Sequence, residues 1–369
     1  MLAAYEGRVA DRVAVAPEFW YYIPARVLGI PMFQLELEVP HWQALQQTFR
    51  HYGCEGWGIV APAIPTGWRG TRRSTVTRVG EQQYEQRDEI RTAGRALVWR
   101  KRLGASEPSW IVERPIKDFM LAWPAYEAAT LVPPEELDWG PVQTALDTVA
   151  EDYLLEVFVG FPFIDFAGEP REGGLEQVIA DLYDHEAEML ALQARYISYL
   201  EDKIRAVFSH TSARSVFIAS GWSSMSLLSP TIWRKWERPV LEAAVRAAHG
   251  AGGLIHHHFH GRCMAILPEL ATLGLDCICP FERPPGGDVT DLAAVRAALG
   301  GRTAFNGNVH TVKTLMQGTP ADVRAEVLEI LEAFDGATRL IVGTGDQVGA
   351  ETPEENIRTM IEVVRDHAA

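Results

Sequence analysis

Eight short apolar runs, spaced by longer stretches with helical patterning, restrict this chain to very few architectures. The runs are RVAVAPE (12–18), GWGIVAPA (56–63), YLLEVFVGF (153–161), SVFIAS (215–220), GLIHHHF (253–259), LDCICP (275–280), TAFNG (303–307) and RLIVG (339–343). Strands that alternate with helices pair in parallel through crossover connections. Eight such units fit a closed (β/α)8 barrel, and no GxGxxG follows the first run to favour an open nucleotide-binding sheet. The expectation is an α/β protein, a single barrel over residues 1–369. Residues 64–120 break the alternation: TVTRV, ALVWRKRL and WIVERP alternate polar and apolar residues. They predict antiparallel hairpins inserted after the second strand.

Helix signals fill the gaps. Residues 174–208 are long enough for two helices, residues 232–249 follow Ser229-Pro230, and residues 320–334 follow Thr319, an N-cap before a first-turn proline. Thr352, Pro353 and Glu355 suggest a capping box for the last helix. At 47% hydrophobic residues the core is ample, and a net charge of −15 argues against nucleic acid, whose phosphates need a basic face. The basic cluster from Arg69 to Arg102 reads as a solvated face. Four cysteines are too few for a disulfide framework, and no apolar run is long enough for a membrane span. The expectation is a cytoplasmic protein with a small-molecule substrate and no nucleic acid or membrane partner; oligomerisation is left open.

His256, His258 and His260 occupy alternate positions at the end of the fifth run, so a strand there aims them toward one face. Imidazole is the commonest metal ligand and the usual acid/base group near neutral pH. In barrels of this kind the reacting groups come from the C-terminal ends of strands and the loops beyond. That rule collects Glu18, Glu156, Phe161, Ser220, Trp222, His258, His260, Glu282, Asn306, Asn308, His310 and Asp346. His256, one pleat deeper, is expected to support the others. Cys277 and Cys279 share a face of the sixth strand and are either small buried residues or, less favoured, further metal ligands.

Three stretches resemble the superfamily of uroporphyrinogen decarboxylases and methylcobalamin:coenzyme M methyltransferases. They are LLSPTIWRKWERPVLEAAVRAAHGAGGLIHHHFHG, FNGNVHTVKTLMQGTPADVRAEV and VGTGDQVGAETPEENIRTMIEVVRDH. The resemblance implies the same barrel. It departs from the true decarboxylases at the first strand, where their Arg-Gln-Ala-Gly-Arg motif is replaced by APEFWYYIPARVLG. An octa-anionic substrate would find no cation cluster there.

The methyltransferase branch is closer. The resemblance implies a metal held by His258, by His260 in place of a cysteine, and by Asp346 in place of a second cysteine. This donor set is harder than one with thiolates, and it suits a divalent ion, Zn²⁺ first, with Fe²⁺ or Mn²⁺ also accommodated. The implied activity is transfer of a methyl or other one-carbon group from a small apolar or aromatic substrate, with a corrinoid on a separate carrier protein as methyl shuttle. His258, Asp346, Glu156 and His310 are the expected catalytic groups; Trp20, Tyr21, Phe161, Trp222 and Asn308 are the expected substrate contacts. A metal-free decarboxylase or lyase, or a non-enzymatic barrel that binds a tetrapyrrole or corrinoid, are the alternatives.

Overall fold

The computed structural model describes residues 1–92 and 94–367. All eight apolar runs form strands of one parallel sheet: β1 (Ala14–Ala16), β2 (Trp57–Val60), β3 (Leu154–Gly160), β4 (Ser215–Ser220), β5 (Leu254–Phe259), β6 (Cys277–Pro280), β7 (Ala304–Val309) and β8 (Leu340–Thr344). Their order is β1-β8-β7-β6-β5-β4-β3-β2, a (β/α)8 ring whose seam falls between β1 and β2. A side chain bridges that seam. The Glu55 carboxylate, just before β2, accepts the Val15 N–H at 3.2 Å and the Arg12 guanidinium at 2.6–2.8 Å.

Alternation along each strand sorts the residues. Outward-facing Val15, Val157, Val216, Ile218, Ile278, Phe305 and Val342 pack under the helices in the main core. Inward-facing Ala14, Ala16, Trp57, Phe217, Cys277, Cys279, Ala304 and Ile341 fill the barrel. Small residues on β1 and β7 leave room for the rings on β2 and β4, the large-against-small filling of a packed interior. A short helix, Leu2–Glu6, closes the N-terminal end and carries buried Tyr5 into it.

The hairpin insertion is a four-stranded antiparallel sheet, Thr71–Arg78, Tyr84–Thr92, Arg95–Leu103 and Trp110–Glu113. Its basic residues form a lattice of ion pairs, Arg87 and Arg91 on Glu89 and Arg100 and Arg102 on Glu85. Residues 174–208 make two helices as expected, Gly174–Asp184 and Glu186–His210. Thr319 caps Pro320–Ala333 in a full capping box with Asp322. The Thr352 box is not formed: the last helix begins at Glu354, and the Thr352 hydroxyl is buried without a partner among the described residues. Among the described residues no helix is long and apolar enough to cross a membrane.

Candidate active site

β5 splits its histidines between two layers. His257 points outward, where its Nε2 lies 2.8 Å from the Ser220 hydroxyl. His256 and His258 point into the barrel, and His260 follows them past the strand end. Near the barrel floor, His256 Nδ1 faces Glu156 Oε2 at 2.8 Å and the Tyr5 hydroxyl at 3.0 Å, while Ser215 donates to the other Glu156 oxygen at 2.6 Å. Cys279 Sγ lies 3.0 Å from both His256 Nε2 and His258 Nδ1. Further up, His258 Nε2 meets His260 Nε2 at 2.6 Å, and His260 Nδ1 meets Glu282 at 2.8 Å. Side chains from the N-terminal helix, four strands and the two loops after β5 and β6 thus make one polar column from floor to mouth.

The charges along that column are unequal. Burial disfavours charge on His260, but the Glu282 hydrogen bond, with Asp346 and Glu18 nearby, outweighs it and lifts the imidazole to about 9. Burial and the neighbouring imidazoles drive His258 well below the ordinary histidine range. At neutral pH His260 is therefore the donor and His258 the neutral acceptor in their shared hydrogen bond.

Two carboxyls complete the mouth. Glu18, directly after β1, is 8% exposed and pushed up to about 8, first by burial and then by Asp346. Its backbone is pinned to the end of β8 through Thr344 Oγ1 and the Val348 N–H. Asp346 is likewise raised by burial, with His260 opposing. Beside them a cavity of about 430 Å³ is lined by Glu282, Pro284, His310, Lys313 and Asp346 among others.

The donor chemistry fits a metal at one edge of this site. Both imidazoles have Nδ1 engaged, one on a carboxylate and one on a thiol, and their Nε2 atoms face each other at 2.6 Å; partners of this kind orient metal-binding histidines. Among the described residues no three His, Cys, Asp or Glu side chains already surround one point at ligand spacing. Of the expected set, the two imidazoles converge, and Asp346 is near enough to strengthen His260 as a base.

The other expected residues divide. Glu156, with 0% exposure, holds His256 at the floor and lies away from the mouth. His310 caps the turn at Thr311–Met316, its Nδ1 accepting the Lys313 N–H at 3.3 Å, and lines the side cavity. Trp20 and Phe161 are the ends of an aromatic ladder across the barrel: Trp20–Trp57 5.7 Å, Trp57–Phe217 5.1 Å, Phe217–Phe158 6.5 Å and Phe158–Phe161 5.0 Å between ring centroids. Trp57 and Phe217 each lie 5.8 Å from the His258 ring. Tyr21 packs on Trp20 and His41 at the edge of this ladder. Trp222 does not join it; its indole covers Gly168 and Gly174 under Arg114. Asn308 is fully buried and ties β7 to the end of β6 through Phe281 O at 2.9 Å.

A second acidic cluster, without a clear signature in the sequence, lies beside the mouth. Ser223 Oγ bridges Asp165 at 2.5 Å and Glu237 at 3.0 Å, while Asp165 accepts the Gly221 and Trp222 N–H groups. Glu237 accepts the Ile164 N–H at 2.7 Å. The signal was faint, since Glu237 reads as one polar residue in a charged helix start.

Comparison with known proteins agrees with this architecture. The uroporphyrinogen decarboxylase family profile matches residues 133–367. The uroporphyrinogen decarboxylase of Thermus thermophilus is 27% identical over 270 residues, covering 70% of this chain and 72% of that protein. That of Pseudomonas paraeruginosa is 27% identical over 263 residues, covering 64% and 67%. A methyltransferase from Methanosarcina mazei shares the fold over 100% of this chain and 98% of its own, with TM-score 0.66 and 17% identity. With its barrel, its matched C-terminal two thirds and these relatives, the chain belongs to the uroporphyrinogen decarboxylase family of enzymes.

Proposed function

We propose that the protein is a methyltransferase-like member of its family, acting on a small apolar or aromatic substrate at the His258–His260 pair. The observation that carries this reading is the site's two-sided construction. His258 lies 5.8 Å from Trp57 and Phe217 of the aromatic ladder, which runs from Trp20 after β1 to Phe161 after β3; Glu18, Glu282 and Asp346 gather about His260, and no cation cluster follows β1 to receive a polycarboxylate. His258, His260 and Asp346 would hold a divalent ion, Zn²⁺ first, which when bound polarises or deprotonates an attacking group. Glu282 fixes the His260 ring, and Cys279 fixes the His258 ring from below. Glu18, protonated at neutral pH, holds a proton at the mouth. Trp20, Phe158 and Phe161, all partly exposed, would seat the substrate's apolar body. A corrinoid-bearing carrier docking at the rim is the partner this reading expects.

The uroporphyrinogen decarboxylase relatives favour one rival, decarboxylation of an acid; in a metal-free form of that reaction the His260 imidazolium and Glu18 would move protons. Turnover on a panel of methylated aromatic compounds with a corrinoid acceptor, alongside uroporphyrinogen and smaller acids, each with and without chelator, separates the two. Chelator-sensitive methyl transfer supports the proposal. Chelator-resistant CO₂ release from an acid refutes it.

A further inference from the structure

Asn306 is placed with unusual care for a residue whose amide nitrogen bonds to nothing among the described residues. On β7 it follows Ala304, which faces the barrel interior and pairs with Cys277, so alternation turns Asn306 inward beside Cys279 and hence beside His258. On its other side stands β8. Any Cβ at Gly343 would collide with Asn306 Oδ1, so the amide lies where a β8 side chain would otherwise project, close to Ala16 at the end of β1. The glycine makes that placement possible. The side chain is 2% exposed, and Nδ2 is buried with no hydrogen-bond partner among the described residues. Buried amides are nearly always paired, and an orphan needs a reason. Here the position supplies one. Glu18 and Asp346 lie just beyond the strand ends above the amide, the reactive imidazoles lie to one side, and the aromatic ladder stands across the barrel.

We infer that Asn306 is a specificity-determining residue, whose amide hydrogen-bonds an acceptor oxygen on an aromatic substrate seated on the ladder. The substrate class narrows accordingly to ring compounds that carry a carbonyl, ether or hydroxyl oxygen on or next to the ring. This rests on the aromatic-substrate reading above and adds the polar half of recognition to it. A site that offers a fixed hydrogen bond in a dry environment discriminates strongly against an isostere that lacks the oxygen, because the protein group is then left unpaired.

Acetophenone and α-methylstyrene serve as probes, since they have the same shape and differ by the carbonyl oxygen. Binding to the full-length protein is read by quenching of tryptophan fluorescence, with Trp20 and Trp57 in the ladder as reporters. The wild type should bind acetophenone at least about tenfold tighter, the usual size of a well-placed hydrogen bond. Asn306→Leu, of similar volume and without an orphan donor to bury, should bring the ratio to one or invert it while binding α-methylstyrene as the wild type does. Asn306→Ala provides the same comparison should the leucine pack poorly. A ketone preference that persists in both variants, or equal binding of the two probes by the wild type, overturns the inference and leaves the aromatic site standing. If neither probe binds the wild type, the aromatic-substrate reading falls, and this inference with it.

Discussion

Glu237→Gln should make the protein's stability less dependent on pH and raise it under mildly alkaline conditions. Glu237 is fully buried beside Asp165, with Ser223 between them, and burial followed by that second carboxyl pushes it from 4.5 up to about 8. The sign follows from linkage. An acid whose folded value lies above its unfolded value favours the folded state most when protonated, so stability is lost as pH rises from 4.5 toward 8. At 1.36 kcal/mol per unit, this group alone costs about 3 kcal/mol by pH 7 as an upper figure. Glutamine keeps an oxygen for the Ile164 N–H and removes the ionisation. Urea unfolding followed from pH 5 to 9 should show the variant near wild type at pH 5 and about 1–3 kcal/mol more stable at pH 8–9. Parallel pH profiles for the two proteins would refute the reasoning, because Glu237 would then ionise freely in the fold.

Further expectations concern the column and the frame around it. Glu282→Gln removes the main support of the His260 imidazolium, so its titration by NMR should fall from about 9 toward the ordinary value of 6.5. The stability that His260 contributes is present below 6.5 and lost as pH rises through 9, and the variant should lack that component in the same unfolding series. Asp181→Ala leaves the buried Arg171 guanidinium without its carboxylate, paired now at 2.6 Å, and should cost about 3–5 kcal/mol in denaturant unfolding. Gly343→Ala drives a methyl into the Asn306 amide and should cost about 1–3 kcal/mol by overpacking, with less loss when combined with Asn306→Ala.

The barrel was legible because period-two and period-3.6 patterns depend only on which face is dry. All eight runs became strands, and the insertion became a sheet. Boundaries were blurred where polar residues extend a run, as at Arg12 and Glu18, since a strand end is set by its neighbour's length and not by its own composition. The N-terminal helix was not foreseen: LAAYE is too short to show a period, and its Tyr5 is held by contacts 251 residues away. Within the site, alternation placed His256 and His258 correctly and gave His256 its supporting role. It could not show that Glu156 sits on the floor, because which inward-facing layer a residue joins depends on the stagger between strands. Trp222 looked like a substrate contact because it follows β4. Its N–H is held by the Asp165 carboxylate, a partner from the β3 side that only the fold brings close, and its indole covers Gly168 and Gly174 instead.

The central claim, that His258 and His260 form a metal-binding reaction centre, is tested most directly by metal content. Protein purified without chelator, and protein dialysed against limiting Zn²⁺, would be assayed by plasma mass spectrometry beside His258→Ala and His260→Ala variants of unchanged circular dichroism. About one divalent ion per wild-type chain is expected, and at least a tenfold loss of affinity in each variant, since even partners behind the ligands are worth about 10–100-fold. A wild-type protein that stays free of metal at micromolar Zn²⁺, Fe²⁺ and Mn²⁺, or variants that bind as well as it does, would rule out a metal at the His258–His260 pair.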